Sequence, residues 1–111
     1  MSRNSLSTSQ ELQRGEYLIS NNGNFKAIMQ DDGNFVLYTW KPVWASNTCG
    51  KPGTRLVMQA DGNLVIYNDT ENPLWASDTW QNKAASDMRL TLKDDGSLVI
   101  TEGTRVLRSL K

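Results

Sequence analysis

The chain reads as an all-β domain built from three repeated units of sheet. Two nine-residue stretches obey one rule, Q-x-D-x-N-x-V-x-Y: Gln30 to Tyr38 and Gln59 to Tyr67. A third, Lys93 to Thr101, keeps the Asp-Gly, the Leu and the Val but has Lys, Ser and Thr where the others have Gln, Asn and Tyr. Short runs of apolar and β-branched residues alternate with polar ones and are broken by Asn22-Gly23, Asp32-Gly33, Asp61-Gly62, Asp95-Gly96 and Glu102-Gly103, which is the pattern of strands and turns. No window carries a helical period with caps.

The repeats divide the single 111-residue domain into units of approximately 14–48, 49–79 and 80–111. A spacing of about thirty residues suits one small sheet per unit better than a long solenoid. Pro42-Val43-Trp44-Ala45-Ser46-Asn47-Thr48 recurs as Pro73-Leu74-Trp75-Ala76-Ser77-Asp78-Thr79, and Arg105-Val106-Leu107-Arg108-Ser109 is a worn version. Tryptophans at equivalent repeat positions are core material. Trp44 and Trp75 are expected to meet near a pseudo-threefold axis, with Leu107 in the third place, whereas Trp40 and Trp80 lack repeat counterparts and are expected at partly exposed edges.

The Asp-Gly turns define a register. A two-residue loop at Asp32-Gly33 would set Gln30 opposite Phe35 and mix polar with apolar on both faces. A three-residue loop, Asp31-Asp32-Gly33, pairs Gln30 with Asn34, Ile28 with Val36 and Lys26 with Tyr38. It leaves Met29, Phe35, Ala27 and Leu37 for the other face, and opposed residues on paired strands share a face. Glycine supplies the left-handed residue that such loops contain. The same register buries Met58, Leu64, Leu56 and Ile66 in the second unit and Leu92, Leu98, Leu90 and Ile100 in the third.

Composition excludes several functions. Twelve basic and twelve acidic residues cancel, and no charge run points to nucleic acid or an anionic membrane. There is no His, which removes the commonest general base and zinc ligand. The lone Cys49 cannot form an internal disulfide and is expected to be an unremarkable loop thiol. No cofactor or metal is expected. Asp31-Asp32 and Asp94-Asp95 are adjacent and point different ways, so they are not a glycosidase pair; the chain is not expected to be an enzyme. No stretch resembles a signal peptide or could span a membrane, so the expectation is a soluble protein, cytosolic or exported by a non-classical route. Asn68-Asp69-Thr70 fits the glycosylation rule, which matters only in the secretory pathway.

The wet face of each intact repeat offers Gln, Asp, Asn and Tyr, with one Val among them. Gln and Asn donate and accept, ionised Asp accepts, and Tyr does either. That mixture suits neither phosphate nor a hard metal. It suits a neutral ligand dense in hydroxyls, with Val against the carbon face of a sugar ring. Turn chemistry alone would explain Asp-Gly, but it would not explain why Gln, Val and Tyr return at the same offsets.

Together these features resemble the bulb-type, mannose-binding monocot lectins and the related lectins of fish skin mucus. The nine-residue motif is that family's sugar-binding signature, and the resemblance covers essentially the whole chain; the Trp40–Ala45 run and the missing signal peptide look more like the fish branch. The resemblance implies a β-prism II of three four-stranded antiparallel sheets about a pseudo-threefold axis. It also implies calcium-independent binding of mannose-rich glycans on glycoproteins or microbes, in defence or agglutination, by a homodimer. By position, Asp32 and Asn34 would bind the sugar O2, Gln30 the O3 and Tyr38 the O4, with Val36 on the ring carbons. Asp61, Asn63, Gln59, Tyr67 and Val65 would repeat those roles. Lys93, Asp95, Ser97, Val99 and Thr101 would form a degenerate, non-binding third site. Plant members often carry a disulfide from the first motif's turn, where this chain has Gly33, and they exchange C-terminal strands, where this chain ends in the altered Arg105–Lys111 segment. The alternative reading is an interaction protein on the same fold that has lost or repurposed sugar binding.

Overall fold

A computed structural model describes residues 3–81 and 87–111. Each repeat folds into a three-stranded antiparallel meander. The first contains β4 (Lys26–Met29), β5 (Phe35–Tyr38) and β6 (Pro42–Ala45); the second β7 (Arg55–Met58), β8 (Leu64–Tyr67) and β9 (Pro73–Ala76); the third β10 (Met88–Leu92), β11 (Leu98–Glu102) and β12 (Arg105–Ser109). The expected register is the observed one. Met29 lies opposite Phe35 and Lys26 opposite Tyr38, Met58 opposite Leu64, and Leu92 opposite Leu98. Each loop closes with its glycine at positive φ, between 86° and 93°, and the residue before the loop bonds the residue after it, as in Gln30 N–H to the Asn34 carbonyl at 2.9 Å.

All twelve side chains that this register assigns to the inner face are fully buried. They form one shared core between the three sheets, so the chain has the β-prism II architecture of three four-stranded antiparallel sheets.

The fourth strand of each sheet comes from the N-terminal segment, a contribution that the repeat spacing does not reveal. β1 (Ser5–Ser7) joins the third repeat, β2 (Glu11–Gln13) the second and β3 (Tyr17–Ile19) the first. These strands are three residues long, and the middle residue of each is a leucine with no exposed surface: Leu6, Leu12 and Leu18. The sixfold spacing is made by two turns of one kind. Gln10 N–H bonds the Ser7 carbonyl while the Gln10 side chain accepts the Ser7 N–H at 2.8 Å; Glu16 does the same to Gln13 at 2.7 Å. One segment thereby crosses all three sheets and ties them together.

The strand that ends each meander carries a bulge. Tyr38 pairs with Pro42 but Leu37 with Trp44, so Val43 is the extra residue; Leu74 and Leu107 are its counterparts. A bulge turns its residue out of the ladder's alternation, and Val43, Leu74 and Leu107 all pack against the core. This corrects the sequence alignment of the worn repeat. Leu107 matches Val43 rather than Trp44, and Arg108 stands opposite Ile100 in the tryptophan position. Trp44 and Trp75 do meet, edge to face, with ring centroids 6.0 Å apart.

Truncating Leu12 removes a fully enclosed side chain from the middle of the strand that joins the N-terminal segment to sheet two. Leu12→Ala should cost about 2–5 kcal/mol, and urea denaturation followed by tryptophan fluorescence measures it.

Candidate functional site

The two intact motifs form matching groups on the outer faces of the first two sheets. In the first, Asp32 Oδ1 accepts the Asn34 N–H at 3.0 Å, which ties the carboxylate to the turn. The Gln30 amide lies between Asp32 and Tyr38. Only one orientation satisfies both neighbours: Nε2 donates to Asp32 Oδ1 at 3.2 Å, and Oε1 accepts the Tyr38 hydroxyl at 2.5 Å. The reverse would face amide oxygen to carboxylate. Gln59, Asp61 and Tyr67 repeat the arrangement, with Nε2 3.1 Å from Asp61 Oδ1, and Asp61 Oδ1 accepts the Asn63 N–H at 2.9 Å.

The asparagines are held from behind. Asn34 Oδ1 accepts the Ser46 hydroxyl and the Thr48 N–H, each at 3.1 Å. Ser46 Oγ in turn accepts the buried Phe35 N–H at 3.0 Å, and Thr48 Oγ1 donates to the Gly33 carbonyl at 2.6 Å. Ser77 and Thr79 do the same for Asn63, at 3.2 and 3.3 Å, and for Gly62, at 2.6 Å. With its oxygen engaged, each asparagine presents Nδ2 as donor, and that nitrogen has no partner among the described residues. The sequence assigns a role in these Trp-Ala-Ser segments only to the tryptophans, as core. Their Ser and Thr are positioning residues, and the signal was there in the second hydroxyl two residues after the first.

The resulting row alternates in character: Tyr oxygen as acceptor, Gln nitrogen as donor, Asp as acceptor, Asn nitrogen as donor. A pair of neighbouring hydroxyls, each giving and taking a hydrogen bond, is the complement of such a row. Val36 and Val65 differ from expectation. The alternation placed them in the exposed row, but each is only 3% exposed, on a central strand between Ile28 and Ala45 in the first sheet and between Val57 and Ala76 in the second. They floor the groove rather than line it.

The third motif lacks this construction. Asp95 still accepts the Ser97 N–H at 2.9 Å, which with the Lys93 charge holds its carboxyl below the ordinary range. No bond links Lys93 to Thr101 among the described residues. Leu110 takes the place of Ser46 and Ser77, as its N–H bond to Leu98 shows, so no hydroxyl stands behind Ser97. Asn22 instead caps this turn, its N–H donating to Asp94 Oδ1 and its Nδ2 to the Asp94 carbonyl, at 2.9 Å each.

Cys49 adjoins the first site, its Sγ 3.4 Å from Asp32 Oδ2. Hydrogen bonding to that carboxylate and its negative charge push the thiol pKa up. At Gly33, a Cβ would stand 2.0 Å from the Lys51 carbonyl oxygen, so this chain's own backbone fills the space that a bridging side chain would need. Among the described residues no cluster of Cys, Asp and Glu could hold a metal ion.

A face of hydroxyl-matching groups on a three-sheet prism defines a carbohydrate-binding protein rather than an enzyme. The comparisons name the family. The chain is 48% identical over 110 residues to the B-type lectin plumieribetin of Scorpaena plumieri, spanning 97% of this chain and 96% of that one. The snowdrop (Galanthus nivalis) mannose-specific agglutinin, solved with methyl-α-D-mannoside, superimposes with a TM-score of 0.82 at 42% identity over 92% of both chains. Tarin lectin bound to trimannose does so at 0.79 and 35% identity, over 91% of this chain and 90% of that one. No family profile matches the chain. This protein belongs to the bulb-type (B-type) lectins.

Two outcomes follow from the geometry. Ser46→Ala strands the buried Phe35 N–H and should cost about 1–3 kcal/mol in urea denaturation. Because Asp32 favours the protonated thiol, Cys49 should alkylate more slowly at pH 8.5 than in Asp32→Asn; equal iodoacetamide rates would refute the coupling.

Proposed function

We propose that this lectin binds mannose at two sites per chain, without calcium, and that the third motif is silent. The observation that carries the reading is the duplicated, internally locked row: Gln30, Asp32, Asn34 and Tyr38, and again Gln59, Asp61, Asn63 and Tyr67. Each amide is held by protein partners in the orientation that leaves its donor for a ligand. Vicinal sugar hydroxyls fit the alternation of acceptors and donors along the row, and Val36 and Val65 floor the groove beneath it. Relatives solved with methyl-α-D-mannoside and with trimannose support mannose as the sugar. The carboxylate of Asp32 or Asp61 has neutral donors for partners, so the site asks for no cation.

A groove with so few contacts holds one sugar weakly. Two sites on different sheets of one chain raise avidity by ~10²–10⁴ when a glycan or surface spans them, so mannose-rich glycans on glycoproteins or microbial surfaces are the partners this arrangement suits. Silence at the third motif follows from Lys93, which only donates, from the short Ser97 and from Leu110 behind it.

Titration calorimetry with methyl-α-D-mannoside tests the reading. Two sites per chain are expected, and EDTA should change nothing. Asn34→Ala or Asn63→Ala should each remove one site and the double variant both, while Ser97→Ala leaves the titration as it was. Undiminished heat from the double variant would sink the assignment.

A further inference from the structure

The two intact sites are alike in their polar row and unlike in the residue beside it. Cys49 and Trp80 are structural equivalents. Each follows a threonine whose N–H bonds the motif asparagine, Thr48 and Thr79. Each precedes a residue whose N–H bonds the backbone carbonyl of the motif aspartate, Gly50 to Asp32 at 2.8 Å and Gln81 to Asp61 at 2.6 Å. The residues two before them, Asn47 and Asp78, share a left-handed φ of 61° and 60°. With the backbone pinned alike on both sides, the two side chains leave in the same direction relative to their turns. Cys49 shows where that is, since its short thiol already reaches the Asp32 carboxylate.

The same exit direction would carry the Trp80 ring past the Asp61 end of site two, and that ring is 58% exposed. Gln81 reinforces the placement: its Nε2 donates to the Thr79 carbonyl at 2.8 Å, and its side chain packs over Gly62. Asp61 is accordingly half-buried where Asp32 is exposed. An exposed indole combines a flat apolar face with an N–H donor, which matches a pyranose ring, apolar on its C–H face and polar at its rim. Among the described residues no hydrogen bond links Trp80 to the polar row, so a sugar lying on it would be a second residue of the same glycan.

Building on the mannose-binding reading, we infer that Trp80 is a subsite for the adjacent sugar of a mannose oligosaccharide. Site two therefore prefers oligosaccharides, whereas site one, with Cys49 in that place, reads a single terminal residue. The two repeats have diverged in specificity through one position.

The test isolates site two in Asn34→Ala and compares its affinity for trimannose with that for methyl-α-D-mannoside. Adding Trp80→Ala should lower the ratio of the two affinities about three- to ten-fold. In the reciprocal chain, with site two silenced by Asn63→Ala, Cys49→Trp should raise the same ratio at site one. An unchanged ratio in both chains overturns the subsite and leaves the mannose reading standing. If Asn34→Ala binds no methyl-α-D-mannoside at all, the reading of site two itself fails. Sedimentation velocity gives the last outcome: a Trp80→Ala chain that loses an oligomer while keeping its ratio makes Trp80 a subunit contact and overturns the subsite.

Discussion

The three-residue Asp-Gly turn is the constraint on which both the fold and the sites depend. Side chains alternate along a strand, so the length of the turn decides which set faces inward. With Gly33 left-handed and Gln30 bonded across to Asn34, Met29, Phe35, Ala27 and Leu37 all fall on the core side. A loop one residue shorter would set Gln30 opposite Phe35 and mix polar with apolar side chains on both faces. The same turn folds the Asp32 carboxylate back onto the Asn34 N–H. Local geometry that buries the hairpin thus also aims the polar row.

The returning strand completes what the turn begins. Ser46 and Thr48 arrive from β6 to hold the Asn34 oxygen, and Ser77 and Thr79 arrive from β9 to hold that of Asn63. The third repeat separates the two jobs. It keeps turn, register and buried leucines but has Leu110 where the hydroxyl belongs, and it stacks Phe25 against Gly96 instead. A sheet can lose its polar row without loss of packing because the row lies on the other face.

The intact sites are not copies of one another. Arg55, paired with Glu11 and Glu71, lies over the Tyr67 ring at 4.9 Å. Its counterpart in the first repeat, Lys26, sits over Tyr17 instead of Tyr38. Arg108 donates to the Ser77 carbonyl and so braces the second site from the third sheet. With the divergence of Cys49 and Trp80, these contacts make the second site the more enclosed of the two.

The hairpins, their register, the twelve inward side chains and the polar row were legible in the sequence, because period-two alternation and turn length are local rules that each repeat states independently. Residues outside local alternation were not legible. β1, β2 and β3 have three residues and one buried leucine each, too short to show a period, and the strands that β1 and β2 pair with lie far along the chain. Leu107 reads as the tryptophan equivalent because Ser109 resembles Ser46; the pairing of Ile100 with Arg108 shifts the frame by one, and only the ladder reveals it. Val36 and Val65 follow the alternation yet are buried on the outer face, and burial depends on what surrounds a residue rather than on which way it points. For the same reason the sequence by itself determined which groups could bind a sugar. The tertiary structure decided how each asparagine amide is turned, by bringing a serine hydroxyl and a threonine N–H from the returning strand behind it, and what stands at the far end of each groove.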